Sequence, residues 1–363
     1  MKTLSMLGHN VTLLTYPEGT DIQGFRIIRV PLIPFFKNIP IGPSIHKILY
    51  DFLLLIEGLS IIRKKRFDVI HSHEIDGAIV GAILKKVCNR AIGYKPMLYY
   101  DMHSLLSEQM RNKNYKINFL LDNILNYIEF FAYRNSDRLL MISPSFVNRL
   151  MEFNQNEKAL FLPDIPALKE ELVDPETYEY LKNKIKHKIV FLYMGNIENY
   201  QGVYLLLEAF KIVERSGYDT GLVIVGGTKE EIKNLEKAVN KYGLARVYLF
   251  SQQPLEKMPA FLKLSDIAVS PRLRGTNIPY KIYPYMRMGK PIIATDIPAH
   301  NLILENNKNA LLCELDPVNM GNKMLLLLQD DSIRKSIGNG ARDLFEKNFS
   351  SEIYRDKLEN LYR

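Results

Sequence analysis

From residue 189 onward the chain repeats one unit: a short apolar run, a turn carrying glycine, and a segment with the length and periodicity of an amphipathic helix. Ile189 to Met194 ends at Gly195, and Gly221 to Val225 ends at Gly226-Gly227. Val247 to Phe250 and Ile267 to Ser270 follow, and Pro291 to Ala294 comes directly after Gly289. Helical stretches at Tyr204 to Glu214, Glu230 to Tyr242 and Lys281 to Met288, with a short one ending near Ser265, separate these runs. Runs of four to six apolar residues fit strands buried on both faces, and alternation with helices predicts a parallel sheet with helical crossovers.

An earlier series has the same character. Met1 to Leu7 reads as the end of a helix, Gly8-His9 as a turn, and Asn10 to Thr15 as a buried strand. Strand-like runs at Gly24 to Val30, Asp68 to Ser72, Met97 to Tyr100 and Arg138 to Ile142 alternate with helical stretches at Leu49 to Arg63 and Lys116 to Tyr133. Ser143-Pro144 then opens a further helix. Pro163, Pro166 and Pro175 lie in a charged stretch reaching Lys188, which suits a connection between domains. The expected division is a domain at 1–165, a linker at 166–187, a domain at 188–340 and a helical tail at 341–363 packing back on the first domain. A chain of 363 residues has room for two such cores.

A formal charge of +8 favours anionic partners such as phosphates, nucleotides or acidic lipid headgroups. The basic residues are scattered through amphipathic segments with no aromatic-interleaved stripe, which argues against nucleic acid. Cys88 and Cys313 stand alone, without disulfide framework or metal-ligand spacing, so no structural metal is expected and a reducing cytosol fits. Ile48 to Ile62 is apolar but holds Asp51 and Glu57 and falls short of the roughly 20 residues a membrane span needs. It suits a helix lying on a membrane surface, and the opening residues lack the pattern of a secretory signal. The expectation is a cytoplasmic protein that associates peripherally with an anionic membrane.

Chemistry concentrates between Ser265 and Thr295. Ile267 to Ser270 leads through Pro271-Arg272 and Gly275-Thr276-Asn277 into a helix at Lys281, then through Gly289-Lys290-Pro291 into the next strand. A turn at the carboxyl end of a parallel strand, feeding a helix N-terminus, presents backbone N–H groups and positive dipole to an anion. A nucleoside diphosphate suits that place.

With this block, the segments Gly8-His9-Asn10-Val11, Phe67-Asp68-Val69-Ile70-His71-Ser72-His73, Ser136-Asp137-Arg138, Met194-Gly195-Asn196, Gln201-Gly202 and Leu205-Leu206-Leu207-Glu208-Ala209 occur in the order and spacing of one family. The chain resembles the family 4 glycosyltransferases over nearly its whole length. That resemblance implies an α/β fold of two Rossmann-like domains facing across a cleft, the GT-B architecture. It implies transfer of a sugar from a nucleotide diphosphate sugar to a saccharide or glycolipid acceptor, with retention and without an essential metal or other cofactor. The donor is expected on the second domain and the acceptor on the first.

Carried over residue by residue, the resemblance makes His103 the cleft histidine near the donor sugar, against the alternative of a surface histidine bonded to a carbonyl. His71 and His73 follow the family's strand-end pattern, His71 in a packing role. Donor contacts fall on Gly195, Asn196, Gln201, Arg272, Gly275, Thr276, Asn277 and Lys281. The structural alternatives are an exposed helix-start lysine at 281, an arginine at 272 paired with a local carboxylate, and plain turn glycines at 195 and 275.

The pattern also departs from the family. Its two glutamates fall at about Thr276 and at Pro284, and a proline side chain accepts no hydrogen bond. Its diphosphate-gripping Arg and Lys fall at Asn196 and Gln201, leaving Lys281, Arg272 and Arg274 as the available cations. A first strand and Gly-rich loop precede the helix before Gly8 in the resembling fold and are absent here, so the first domain is expected to be truncated. A noncatalytic protein of the same fold, serving binding or assembly, is the alternative reading.

Overall fold

Apolar runs in both halves form strands that pair in parallel. In the computed structural model the described residues are 1–34, 45–106, 118–163 and 172–363. They fall into two compact units, Met1–Pro163 with Arg355–Arg363, and Asp164–Tyr354. The strands are β1 Thr12–Thr15, β2 Arg26–Arg29, β3 Val69–His73, β4 Met97–Met102, β5 Arg138–Met141, β6 Ala159–Phe161, β7 Ile189–Met194, β8 Thr220–Val225, β9 Val247–Phe250, β10 Ile267–Ser270, β11 Ile292–Thr295 and β12 Leu311–Cys313.

In the second unit they build one six-stranded sheet in the order β12-β11-β10-β7-β8-β9. All of its described pairings are parallel. β8 is buried along its whole length, as a central strand covered by helices on both faces must be. Helix Val203–Arg215 buries Leu206, Leu207, Phe210 and Val213 against this sheet. Helix Lys229–Tyr242 starts in a capping box, Thr228 accepting from the Glu231 amide while the Glu231 carboxylate accepts from the Thr228 amide. The mixed α/β architecture is that of two Rossmann-like domains.

The first unit is arranged differently. β1 and β2 form a two-stranded sheet, and β3-β4-β5-β6 a separate four-stranded one, both parallel. Between them lies a cavity of about 410 Å³ lined along its length by Thr12 to Tyr16 on one side and Val69 to Glu74 on the other. The described residues supply no strand between β1 and β3, so the described strands of the first unit form two separate sheets. Helix Ile45–Lys64 contributes Leu54, Gly58, Ile61 and Ile62 to the same cavity.

Two segments differ from the sequence reading in detail. The proline-bearing stretch read as a linker contains helix Pro175–Lys184, capped by Asp174 and burying Leu181. It belongs to the second unit and packs on helix Met258–Leu264. Of the tail, helix Asp331–Asn348 belongs to the second unit, and the chain rejoins the first at Arg355. Helix Glu74–Val87 has no counterpart in the sequence reading. Its Gly77 and Gly81 lower helix propensity, but a Cβ on Gly81 would fall 2.4 Å from the Ser72 hydroxyl and 2.7 Å from Leu98. Close approach to the sheet overrides propensity there. The start of the helix expected at Lys116 lies outside the described residues, which show it over Phe119–Asn135.

Candidate nucleotide-binding site

From β7 the chain runs outward through β8 to β9, then returns to place β10 on β7's other flank. Strand order therefore reverses between β7 and β10, and the loops leaving their carboxyl ends diverge to open a crevice. Gly195 ends β7, and Pro271 to Asn277 follow β10.

Gly195 has φ +138°, and a Cβ there would lie 2.9 Å from Lys281 Nζ. Lys281 stands at the start of helix Ile282–Arg287 and is only 8% exposed. Its ammonium donates to Gln201 Oε1 at 3.0 Å and lies 3.9 Å from the centroid of the Tyr193 ring. Tyr193 OH in turn donates to the Asn196 carbonyl at 2.5 Å. Burial, then repulsion from Arg272, pushes the Lys281 pKa well below its ordinary value. Its burial rules out an exposed helix-start lysine, and among the described residues it has no carboxylate partner.

Arg272 is also buried. Its Nε donates to the Arg274 carbonyl at 2.8 Å, Nη1 to the Asn277 carbonyl at 3.1 Å, and Nη2 to Asn277 Oδ1 at 3.3 Å. The guanidinium also lies over the Tyr200 ring. The loop after β10 therefore wraps this side chain, and a Cβ on Gly275, at φ +146°, would strike the guanidinium at 2.4 Å. Glycine is required there by the arginine. Asn196, Thr276 and Arg274 are exposed at the rim, Asn277 is half-buried, and Gln201 is buried. Pro284 is buried within its helix.

Behind this mouth sits His300, a residue the sequence reading did not single out. Its Nδ1–H donates to the Thr295 carbonyl at 2.7 Å, and Ser270 donates its hydroxyl to Nε2 at 2.8 Å. This ties the carboxyl ends of β10 and β11 together. Burial depresses its pKa to about 3, so the ring is neutral at physiological pH. Tyr193 and Tyr285, whose hydroxyl accepts from the Met194 amide at 2.9 Å, were likewise unread; each is an aromatic in an apolar run, a pattern that signals core.

In the first unit, His103 lies just beyond β4, half-buried. His71, His73 and His103 surround the buried Asp101, their ring nitrogens 3.4, 3.3 and 3.5 Å from its Oδ2. Burial raises the Asp101 pKa, but hydrogen bonds from His103 and His71 outweigh it and hold the carboxyl below the usual range. His71 Nδ1 also meets Tyr362 OH at 2.5 Å, the contact that fits its packing role. Asp101 was not anticipated; its place two residues before His103 on one strand face was the available signal.

Residues 1–162 match the family model described as Glycosyltransferase Family 4, and residues 179–344 match the model described as Glycosyl transferases group 1. The uncharacterized glycosyltransferase MJ1069 of Methanocaldococcus jannaschii is 22% identical over 90% of this chain and 81% of its own length. The UDP-Gal:alpha-D-GlcNAc-diphosphoundecaprenol alpha-1,3-galactosyltransferase of Escherichia coli is 22% identical over 86% of this chain and 79% of its own. Anabaena HepE, solved in complex with UDP-glucose, superposes with a TM-score of 0.70 at 13% identity, covering 97% of this chain and 99% of HepE. Both halves of the chain thus carry the family's two domains in order, and the protein is a family 4 glycosyltransferase of the GT-B type.

Proposed function

We propose that this enzyme takes its sugar from a nucleoside diphosphate sugar held at the β7–β10 mouth and passes it to a saccharide or lipid-linked acceptor. The observation that carries the reading is Lys281: a buried ammonium with no carboxylate partner among the described residues, beside a glycine whose missing Cβ leaves it room. A desolvated cation is costly by itself and gains most from an incoming anion. Negative charge gathers on the departing diphosphate as the glycosidic bond lengthens. An ammonium fixed there stabilises the transition state more than the ground state. Asn196, Thr276, Asn277 and the Gly195 and Gly275 turns supply neutral donors around it, and Arg272 acts by holding the loop that presents them.

His103 is proposed to lie against the donor sugar, with transfer retaining the anomeric configuration and requiring no metal. The relatives support the donor and acceptor classes: HepE was solved with UDP-glucose, and the Escherichia coli enzyme's name specifies UDP-Gal and a diphosphoundecaprenol-linked acceptor. Helix Ile45–Lys64 exposes Ile48, Phe52 and Ile56 at 67, 60 and 49%. They are spaced four residues apart and thus form one stripe. We place that stripe on an anionic membrane surface, the helix ending in Arg63-Lys64. No helix among the described residues is long and apolar enough to cross a membrane.

Calorimetric titration with a panel of nucleoside diphosphates, followed by transfer assays with the corresponding sugars, tests the donor reading. Binding that weakens about ten- to hundredfold at Lys281→Met supports it. Equal binding by that variant, or none by the native chain at millimolar nucleotide, overturns it. Flotation with vesicles containing anionic lipid tests the surface reading, which fails if Phe52→Glu floats as well as the native chain.

A further inference from the structure

Four donor atoms meet at the carboxyl ends of β3 and β4. Asp101 Oδ2, His73 Nδ1 and His103 Nε2 form a triangle with sides of 3.3, 3.5 and 3.3 Å. His71 Nε2 lies 3.4 Å from the same carboxylate oxygen, and donor atoms of His71, His73 and Asp101 all lie within 4.8 Å of one another. We propose that this cluster binds one divalent transition-metal ion of the zinc class through Asp101, His73 and His103, with a water completing the four-coordinate shell and His71 held beside the Asp101 carboxylate.

The spacing carries the argument. A tetrahedral zinc ion with bonds of about 2.0–2.1 Å sets its ligand atoms about 3.3–3.4 Å apart, which is the spacing of the triangle. Strand geometry builds it: His71 and His73 are two residues apart on β3, Asp101 pairs with His73 across the ladder, and His103 follows two residues after Asp101. All four side chains therefore project on one face. Tyr362 OH engages His71 Nδ1, which leaves Nε2 facing the cluster. Asp101 Oδ1 is buried without a hydrogen-bond partner, a further acceptor that a cation beside the carboxylate would satisfy. Imidazole and carboxylate together suit zinc, cobalt or nickel better than magnesium or calcium, which prefer all-oxygen shells.

The ion occupies the nitrogen of His103 that faces the cluster. Its consequence rests on the proposed metal-free transfer with His103 against the donor sugar: the ring is withdrawn from the donor, giving metal-dependent inhibition. The binding claim itself does not depend on the donor reading.

Titration of the full chain with Co²⁺, followed by absorption spectroscopy and then displacement with Zn²⁺, tests it. One equivalent giving the intense visible bands of four-coordinate cobalt is expected, with affinity at least about tenfold weaker in His73→Ala and in His103→Ala. Near-UV circular dichroism checks that each variant is folded, and either folded variant suffices. Faint six-coordinate spectra, or binding unchanged in the folded variants, would overturn the site.

Discussion

A methyl group on Gly195 would lie 2.9 Å from the ammonium of Lys281, although the two residues are 86 positions apart (281 − 195). The glycine and the lysine together define the mouth of the second unit's sheet.

Replacing Gly195 with alanine places a Cβ at φ +138°, a region that is essentially glycine's, and forces the lysine aside. Loss of about 1–3 kcal/mol of stability is expected, with weaker nucleotide binding. Urea unfolding and calorimetry of Gly195→Ala check both. Native-like values in each would show that the lysine is not held by this turn.

Lys281→Met should separate binding from stability. The buried ammonium has no carboxylate partner among the described residues, so an apolar isostere is expected to raise the melting temperature. The same change removes a charged donor, and nucleotide binding should weaken about ten- to hundredfold. A bound diphosphate favours the charged lysine, so binding takes up protons and weakens as pH rises through the lysine's lowered pKa. Binding enthalpies in buffers of different ionisation heat read that uptake, which should vanish in the variant.

His300 makes the second unit sensitive to acid. Its folded pKa of about 3 is depressed from 6.5, so its contribution is complete above 6.5 and is lost as pH falls toward 3, where the unfolded chain alone binds the proton. The slope is about 1.4 kcal/mol per pH unit, or about 2 kcal/mol between pH 6.5 and 5. Urea midpoints for the native chain and His300→Gln over that range check it: the variant should show the shallower decline.

The division into two sheets predicts uneven protection in the first unit. β1 and β2 make a two-stranded sheet beside a cavity, whereas β4 and β5 are central and largely buried. Two strands alone are marginal, so hydrogen exchange should be faster across Thr12–Thr15 and Arg26–Arg29 than across Met97–Met102 and Arg138–Met141. Equal protection would mean that the helices stabilise the small sheet as strongly as neighbouring strands would.

Much of the architecture was legible because it is local. Ile189 to Met194 or Gly221 to Val225 can hardly be anything but buried strands, and glycines at their ends set where each crossover begins. Helix Pro175–Lys184 within the stretch read as a linker went unread because its signals, Asp174 as a cap and Pro175 as a first-turn residue, are masked by the density of charge around them. Helix Glu74–Val87 was missed because its glycines answer to a neighbouring strand rather than to helix propensity.

The sequence by itself determined the parallel α/β series, the order of the family's segments and the residue types available at the β7 and β10 ends, since periodicity and turn chemistry act between near neighbours. Only the tertiary structure decided that Lys281 is buried against Gln201, 80 residues away, that Arg272 holds its own loop, and that three histidines share Asp101. Desolvation and coordination depend on which distant strands lie side by side, and no local pattern encodes that.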